Sequence, residues 1–306
     1  MTIKVFGHKS PDTDATLSAI IWAYYLKQVK GIEARPVLLG EPNTEARFLL
    51  KHWGFDRPGI ITDVEPGEQV VIVDTNNPAE LPAGIAKADI LAIIDHHKLV
   101  GGLETKGPID ITIRPLACTA TVMYDLIGAD VAGLPHRIKG AMLSCILSDT
   151  LEFRSPTTTA HDKAVAEELA ADIGVSITDL AVAMFEAKSD VSSFSDAALL
   201  RMDSKEYTVD GAELRVSVLE TTAPKVILDR KHSLMASMAD VAREDGADQV
   251  LLFVIDILRE EATLLVPNDL VKKIAEASFD CVVKGDTVVL PGVLSRKKQI
   301  MPALKV

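Results

Sequence analysis

Residues 90–98 read Ile-Leu-Ala-Ile-Ile-Asp-His-His-Lys, and this stretch points both to the fold and to the chemistry. Five apolar residues in a row predict a strand that is buried on both faces of a sheet. The polar residues that follow would lie just past the carboxyl end of that strand, where open α/β sheets bind their ligands. Adjacent side chains on extended chain point in opposite directions, so His96 and His97 are expected to have different roles.

Two other apolar strands, at 3–7 and 70–73, also end in residues that commonly bind metals. The candidate ligands at the three strand ends are His8, Asp12, Asp14, Asp74 and His96. Because the carboxyl ends of parallel strands meet at one edge of a sheet, we expect these side chains to converge there. Asp14 has an alternative interpretation, since it lies where a helix begins and could cap it.

Asp149 is a sixth candidate ligand, at the end of an apolar helical run over 142–147. A carboxylate is unfavourable at the negative end of a helix unless a cation compensates its charge; the alternative is an exposed residue at a helix end. Carboxylates with a few imidazoles suit Mn²⁺ or Co²⁺ better than thiolate-bound zinc. A carboxylate shared by two ions, for which Asp74 is the natural candidate, would hold them about 3.5–4 Å apart around a water or hydroxide.

Strands alternate with helices in the first two thirds of the chain, which predicts a doubly wound, mainly parallel α/β sheet. The small polar residues at 188–195 are interpreted as a hinge linker. Beyond them the pattern changes, with a hairpin signal at Asp210-Gly211 and a last strand predicted at 300–304. We therefore expect a catalytic domain over 1–187 and a smaller mixed-sheet α+β domain over 196–306.

Composition narrows the class of protein. The chain has 306 residues, 48% of them hydrophobic and 25% charged, which is typical of a soluble globular protein. A net charge of −12 argues against a nucleic-acid partner. Three cysteines without a CxxC pair argue against a disulfide framework. The sequence contains neither a secretory signal nor a membrane span, so we expect a cytoplasmic protein with no membrane partner.

Five motifs together resemble the DHH phosphoesterase superfamily and, more narrowly, its family II (manganese-dependent) inorganic pyrophosphatases. They are GHKSPDTDA at 7–15, DTNN at 74–77, DHHK at 95–98, SDT at 148–150 and SRKKQ at 295–299. The last motif separates this family from its relatives. The match follows the chain in order and in domain layout, and no motif position departs from the family pattern.

The resemblance implies a role for each candidate ligand. The first metal would be held by His8, Asp12 and Asp74. The second metal would be held by Asp14, Asp74, His96 and Asp149. His97 would face the substrate as a phosphate ligand and proton donor, while Asp95 would orient an imidazole from behind.

The resemblance also implies that Lys205, Arg296 and Lys297 bind phosphate from the C-terminal domain. The run at 295–299 is the densest basic stretch of this acidic chain, and a solvated charged terminus is its simplest interpretation. Apolar residues on both sides instead embed it in folded sequence, and arginine offers bidentate geometry to phosphate. The direction of Lys298 is left open.

The implied activity is hydrolysis of inorganic diphosphate to two orthophosphates by a hydroxide that bridges two Mn²⁺ or Co²⁺ ions. The diphosphate would arrive with Mg²⁺, the C-terminal domain would close on it, and the protein would be a homodimer. An exopolyphosphatase remains open, because it shares the mechanism. A non-catalytic metal-dependent binding module is disfavoured, because it would not need both the complete ligand set and the cationic cluster. A DHH-type phosphodiesterase acting on oligonucleotides or cyclic dinucleotides is disfavoured, because the C-terminal part of the sequence lacks the glycine-rich GGGH element of those relatives.

Overall fold

The computed structural model describes residues 2–306, which fall into two compact units. The N-terminal unit ends at Lys188 and the C-terminal unit spans Ser189–Val306. Among residues 2–306, no helix is long and apolar enough to cross a membrane.

The N-terminal unit is built from six strands and six principal helices. The strands are β1 (Ile3–Phe6), β2 (Ala34–Leu38), β3 (Gly59–Ile60), β4 (Gln69–Val73), β5 (Asp89–Asp95) and β6 (Asp110–Ile113). The helices are α1 (Thr13–Tyr24, continued by a π-helical turn at Tyr25–Val29), α2 (Thr44–His52), α3 (Thr119–Ile127), α4 (His136–Thr150), α5 (Ala160–Ile173) and α6 (Ile177–Lys188).

All six strands pair in parallel, in the order β3-β2-β1-β4-β5-β6. The order reverses direction between β1 and β4, which makes this the topological switch point of the sheet. The carboxyl ends of β1, β4 and β5 are therefore neighbours. The predicted doubly wound parallel sheet is confirmed, and the buried apolar runs at 70–73 and 93–94 fit strands that lie inside the sheet and not at its edges.

Helix α1 begins with the side chain of Asp12, whose Oδ1 accepts a hydrogen bond from the backbone N–H of Ala15 at 3.0 Å. The alternative that Asp14 caps this helix is therefore wrong. Asp14 lies in the first turn, where it is 1% exposed. Because the helix is capped two residues earlier, Asp14 is part of its first turn, and its side chain points into the protein.

Helix α4 continues through Thr150, three residues past Leu147, where the apolar helical run predicted its end. Asp149 consequently lies in the last turn of the helix. The helix ends at Leu151, and Leu151, Glu152 and Phe153 all have left-handed backbone conformations, with φ of 48°, 51° and 69°. Residues with side chains rarely adopt this region, so the segment after Asp149 is conformationally strained.

The C-terminal unit has its own mixed sheet. The strands are β7 (Ser204–Val209), β8 (Ala212–Thr221), β9 (Gln249–Asp256), β10 (Glu261–Leu265) and β11 (Thr287–Pro291). The helices are α7 (Asp196–Met202), α8 (Pro224–Leu228), α9 (Lys231–Asp245), α10 (Asp269–Ser278) and α11 (Met301–Ala303). The order is β11-β10-β9-β8-β7, with β8 and β9 parallel and the other pairs antiparallel. The predicted α+β class is confirmed.

Of two local predictions for this unit, one is correct and one is wrong. Asp210 and Gly211 join β7 to β8 with φ of 50° and 87°, as the hairpin signal predicts. The strand predicted at 300–304 is wrong, because a π-helical turn at Arg296–Ile300 leads into α11. Ser295 caps that turn by accepting a hydrogen bond from the backbone N–H of Lys298 at 3.2 Å.

Candidate metal centre

Asp74 lies at the centre of the cluster formed by the three strand ends. It follows β4 directly, is 1% exposed and has a left-handed φ of 58°. Its Oδ2 is 3.6 Å from Nε2 of His8, and its Oδ1 is 3.4 Å from Nε2 of His96. The two oxygens of one carboxylate thus face two different imidazoles, which is the arrangement expected of a bridging ligand. Thr119 donates its hydroxyl to Oδ1 at 3.0 Å.

The first group around Asp74 contains His8 and Asp12. Nε2 of His8 lies 3.6 Å from Oδ1 of Asp12, and one ligand atom from each of the three residues falls within 4.8 Å of the others. His8 comes from the loop after β1 and Asp12 from the cap of α1. Both positions depend on the carboxyl end of β1 meeting that of β4.

The second group consists of Asp14, His96 and Asp149. Nε2 of His96 lies 4.0 Å from Oδ2 of Asp14 and 3.9 Å from Oδ2 of Asp149. Asp14 is fixed by hydrogen bonds from the hydroxyl of Ser18 at 2.8 Å and the backbone N–H of Thr119 at 2.7 Å. The group therefore draws on α1, α4 and the end of β5.

His96 is oriented by a carbonyl group. Its Nδ1 lies 3.2 Å from the backbone oxygen of Leu116, which can only accept a hydrogen bond. Nδ1 therefore carries a proton, and Nε2 faces the carboxylates. Metal-binding histidines are usually held in this manner through their other nitrogen.

The charges of the cluster call for a cation. Burial and the nearby charge of Asp74 raise the pKa of Asp14 to about 7. Burial and the charge of Asp14 raise the pKa of Asp149 well above its usual range. Although burial opposes the charged form, hydrogen bonds with Asp12 and Asp74 raise the pKa of His8 to about 10. Buried carboxylates stay ionised only when positive charge lies nearby. Carboxylates and imidazoles together are ligands that bind divalent metal ions.

His97 differs from His96 in exposure and in its partner. Its side chain is 53% exposed, and its Nδ1 lies 2.9 Å from Oδ1 of the fully buried Asp95. Asp95 also accepts the backbone N–H groups of both histidines and the side-chain amide of Asn76, the last at 2.6 Å. Asp95 therefore orients His97, which keeps Nε2 available. Nδ1 of His97 is also 3.8 Å from Oδ1 of Asp74, so a group of Asp74, His96 and His97 is a second geometric possibility.

Two adjoining cavities open beside these groups. One, of about 410 Å³, is lined by Asp12, Asp74, His96, His97 and Asp149 among others. The other, of about 580 Å³, is lined by His8, Lys9, Asn77, His97 and Lys98 among others. His97 borders both, so its free nitrogen can reach a small anion in either space.

The three predicted phosphate-binding residues come together in the C-terminal unit, where they line a cavity of about 540 Å³. We call this the basic cavity; its cations are Lys205, Arg296 and Lys297. Arg296 donates to the side-chain and backbone oxygens of Asp203 at 2.7 and 2.8 Å. Within residues 2–306 the ammonium groups of Lys205 and Lys297 have no hydrogen bond or ion pair, and Lys298 does not line the cavity.

Comparison with known proteins agrees with this two-unit arrangement. A model of the DHH family N-terminal domain matches residues 2–149, and a DHHA2 domain model matches residues 182–306. The probable manganese-dependent inorganic pyrophosphatase of Lactobacillus acidophilus is 35% identical, covering 98% of this chain and 96% of that protein. The protein with the same description from Deinococcus radiodurans is 37% identical, covering 99% and 98%. This chain belongs to the manganese-dependent inorganic pyrophosphatase family.

Solved structures place this pyrophosphatase family member in the same fold. A Methanococcus jannaschii structure assigned to the family II inorganic pyrophosphatases has a TM-score of 0.61 and 32% identity, covering 99% of this chain and 98% of that one. An exopolyphosphatase-related protein from Bacteroides fragilis has a TM-score of 0.52 and 12% identity, covering 98% and 89%. The second likeness shows the shared fold and no more.

The sequence of this pyrophosphatase family member predicts the candidate ligands, whereas several residues that hold the cluster in place are apparent only in the structure. Thr119 contacts both Asp14 and Asp74, although it lies 105 and 45 residues away from them. No local pattern could have indicated it, since a threonine at the start of a helix is ordinary. Asn76, whose side-chain amide donates to Asp95, could have been singled out from the sequence, because it belongs to the DTNN motif and follows Asp74 by two residues.

Proposed function

We propose that this chain hydrolyses inorganic diphosphate to two orthophosphates at a centre that holds two Mn²⁺ ions. The observation that carries the proposal is Asp74, whose two oxygens face the separate groups of His8 and His96. The relatives are named as inorganic pyrophosphatases, which supports diphosphate as the substrate. The basic cavity offers the cations that a phosphate anion requires.

The ligand sets follow the two groups around Asp74. The first ion would be held by His8, Asp12 and Asp74, and the second by Asp14, Asp74, His96 and Asp149. When bound, the ions would supply Lewis acidity, which acidifies water and neutralises phosphoryl oxygens. The carbonyl of Leu116 and the hydroxyl of Thr119 would keep His96 and Asp74 in ligating orientations.

His97 would work on the substrate side of the centre. Its Nδ1 is held by Asp95, so Nε2 can bind a phosphate oxygen and deliver a proton to the departing phosphate. Its exposure, greater than that of His96, supports contact with a ligand that enters from solvent.

The basic cavity would neutralise the charge that develops on the phosphate oxygens. The ammonium groups of Lys205 and Lys297 have no partner in the described part of the chain, while Arg296 is fixed in place by Asp203. Mg²⁺ would enter with the diphosphate, and Co²⁺ is the alternative to Mn²⁺ as the metal of the centre. We further propose that the C-terminal unit closes on the substrate through residues 188–195, and that the enzyme acts in the cytoplasm as a homodimer.

The decisive experiment compares phosphate release from diphosphate, polyphosphate and a dinucleotide, each with Mn²⁺. We expect rapid release from diphosphate alone, and none after chelation of the metal. The same preparation carrying Asp74→Asn should be inactive, which excludes a contaminating phosphatase. Faster release from polyphosphate would favour an exopolyphosphatase, and cleavage of the dinucleotide would favour a phosphodiesterase. No release from any substrate, despite bound Mn²⁺, would favour a binding module.

The closing motion has its own test. A crosslink that holds the two units apart should abolish turnover while Mn²⁺ binding survives. Full activity of the crosslinked enzyme would refute the assembly of one site from two units. Light scattering of the unmodified enzyme would decide whether it is a homodimer.

A further inference from the structure

Glu45 is a carboxylate in the first turn of α2 that belongs to none of the five motifs. It is 0% exposed, as buried as Asp95. A buried carboxylate is costly unless it is hydrogen-bonded and paired, and well-packed apolar side chains in place of a buried ion pair are often at least as stable. Its presence among packed helices therefore requires a reason other than packing.

The contacts of Glu45 lead to the metal centre. Its Oε2 accepts hydrogen bonds from the hydroxyl of Thr13 at 2.7 Å and from the hydroxyl of Ser148 at 2.6 Å. Thr13 lies between Asp12 and Asp14, and Ser148 immediately precedes Asp149. A single oxygen atom thus joins the beginning of α1 to the end of α4.

These two helix ends supply three of the six proposed ligands: Asp12, Asp14 and Asp149. The spacing between Asp14 and Asp149 depends on how the beginning of α1 is held against the end of α4. The bridge through Glu45 fixes that arrangement, because one oxygen accepts a hydrogen bond from each helix end. Lys188 lies 3.9 Å from Oε2 and partly balances the charge, while Oε1 has no hydrogen-bond partner among residues 2–306.

Resting on the proposed function, we propose that Glu45 is a positioning residue, which holds Asp14 and Asp149 at the spacing that the second metal ion needs. It touches neither substrate nor metal. The second ion depends on both helix ends, whereas the first takes only Asp12 from them. The bridge therefore contributes more to the second site than to the first.

The test measures Mn²⁺ affinity in full-length variants by calorimetric titration, with the exchange-coupled electron paramagnetic resonance signal of paired Mn²⁺ as a spectroscopic readout. Loss of a partner behind a ligand typically weakens metal binding by about 10- to 100-fold. Because Glu45 contacts the neighbours of the ligands, we expect Glu45→Leu to weaken the second site by about tenfold, the lower end of that range, and Glu45→Gln, which keeps an accepting oxygen, by less. The coupled signal should weaken in the same order.

Ser144→Ala is the matched control, because Ser144 is buried one turn earlier on α4 and makes hydrogen bonds to Trp53 and Gly140 that do not lead to the cluster. It should lower the melting temperature and leave Mn²⁺ affinity unchanged. If Glu45→Leu behaves like this control, the role of Glu45 is purely structural and the proposal fails.

Two further variants keep the proposal testable if Glu45→Leu does not fold. Thr13→Val and Ser148→Ala each remove one arm of the bridge and should each weaken the second site, while Thr13→Ser, which keeps the hydroxyl, should restore it. Unchanged affinity in both variants would overturn the proposal. Failure of the unaltered chain to bind Mn²⁺ would overturn the metal centre and this role together, whereas Mn²⁺ binding without diphosphate hydrolysis would overturn the proposed activity alone.

Discussion

The metal centre and the basic cavity use charge in opposite ways. In the first, carboxylates such as Asp14 and Asp74 are buried and held by hydroxyl and backbone groups, so that their positions are set before any ligand arrives. In the second, Lys205 and Lys297 are exposed and have no partner among residues 2–306, whereas Arg296 is anchored by Asp203. The contrast fits the roles proposed for the two regions, which are selective binding of small cations in the first and capture and release of an anion in the second.

Buried like charges have to be arranged by many residues, whereas exposed cations need few. Asp95 is fixed by Asn76 and in turn fixes His97, and Glu45 connects two helices behind the ligands. Substitutions in the N-terminal cluster should therefore disturb metal binding, and substitutions in the basic cavity should disturb substrate binding alone. Four variants test this division, from the largest expected effect to the smallest.

Asp74→Asn should have the largest effect, because it removes a charge that both metal groups share. Metal ions stabilise the transition state by several kcal/mol, and about 1.4 kcal/mol corresponds to a tenfold change in rate, so we expect a loss of at least about 10³-fold in kcat. Mn²⁺ titration should show both sites weakened. Asp110→Asn, at the exposed start of β6, is the control and should leave kcat and Mn²⁺ affinity unchanged. Equal Mn²⁺ affinity in the two variants would contradict the separation between a metal-binding region and a substrate-binding region.

His97→Gln should lower kcat by roughly 10²-fold, the lower end for loss of a general acid, while both Mn²⁺ ions stay bound. His161→Gln is a matched control, since His161 is also half exposed and lies 2.8 Å from a carboxylate, that of Asp125. Loss of a metal ion in His97→Gln would mean that His97 is a ligand, as the group with Asp74 and His96 allows.

Arg296→Lys should raise KM about tenfold, because a charge-assisted hydrogen bond is worth roughly 1.5–3 kcal/mol and lysine cannot reproduce the bidentate geometry. Mn²⁺ affinity should not change. Arg201→Lys provides the control in the same unit, since Arg201 is also paired with an aspartate, Asp245, but lies outside the basic cavity. A change in Mn²⁺ affinity in Arg296→Lys would contradict the separation of roles.

Lys298→Ala should have the smallest effect, less than about twofold in kcat/KM, as for an ordinary surface substitution. Lys298 is exposed, and its contribution to the turn after Ser295 is made by its backbone N–H, which alanine keeps. Lys297→Ala, one residue earlier and lining the basic cavity, is the natural comparison. An effect in Lys298→Ala as large as in Lys297→Ala would extend the phosphate site beyond the cavity.

The parts of the fold that the sequence predicted are those with a strong local pattern. The strands at 70–73 and 90–94 and the hairpin at Asp210-Gly211 are present because apolar runs and turn residues specify them directly. Burial on both faces holds for 70–73, whereas Leu91 and Ala92 are only half-buried. The strand predicted at 300–304 failed because Ser295 and Gln299 form a local capping arrangement that a short apolar pattern does not reveal. Helix α10 was missed, although its apolar face is clear in the structure.

By itself, the sequence determined which side chains would gather, since parallel strands bring their carboxyl ends to one edge and His8, Asp74 and His96 each follow such an end. Only the tertiary structure decided how those side chains are held. Thr119, Leu116 and Glu45 act across separations of 20 to 105 residues. Such contacts depend on how helices pack over the sheet, and no periodicity in the chain encodes a hydrogen bond between distant segments. For the same reason, the different environments of His96 and His97 are visible only in the structure. Leu116 holds the ring of His96, and Asp95 holds the ring of His97.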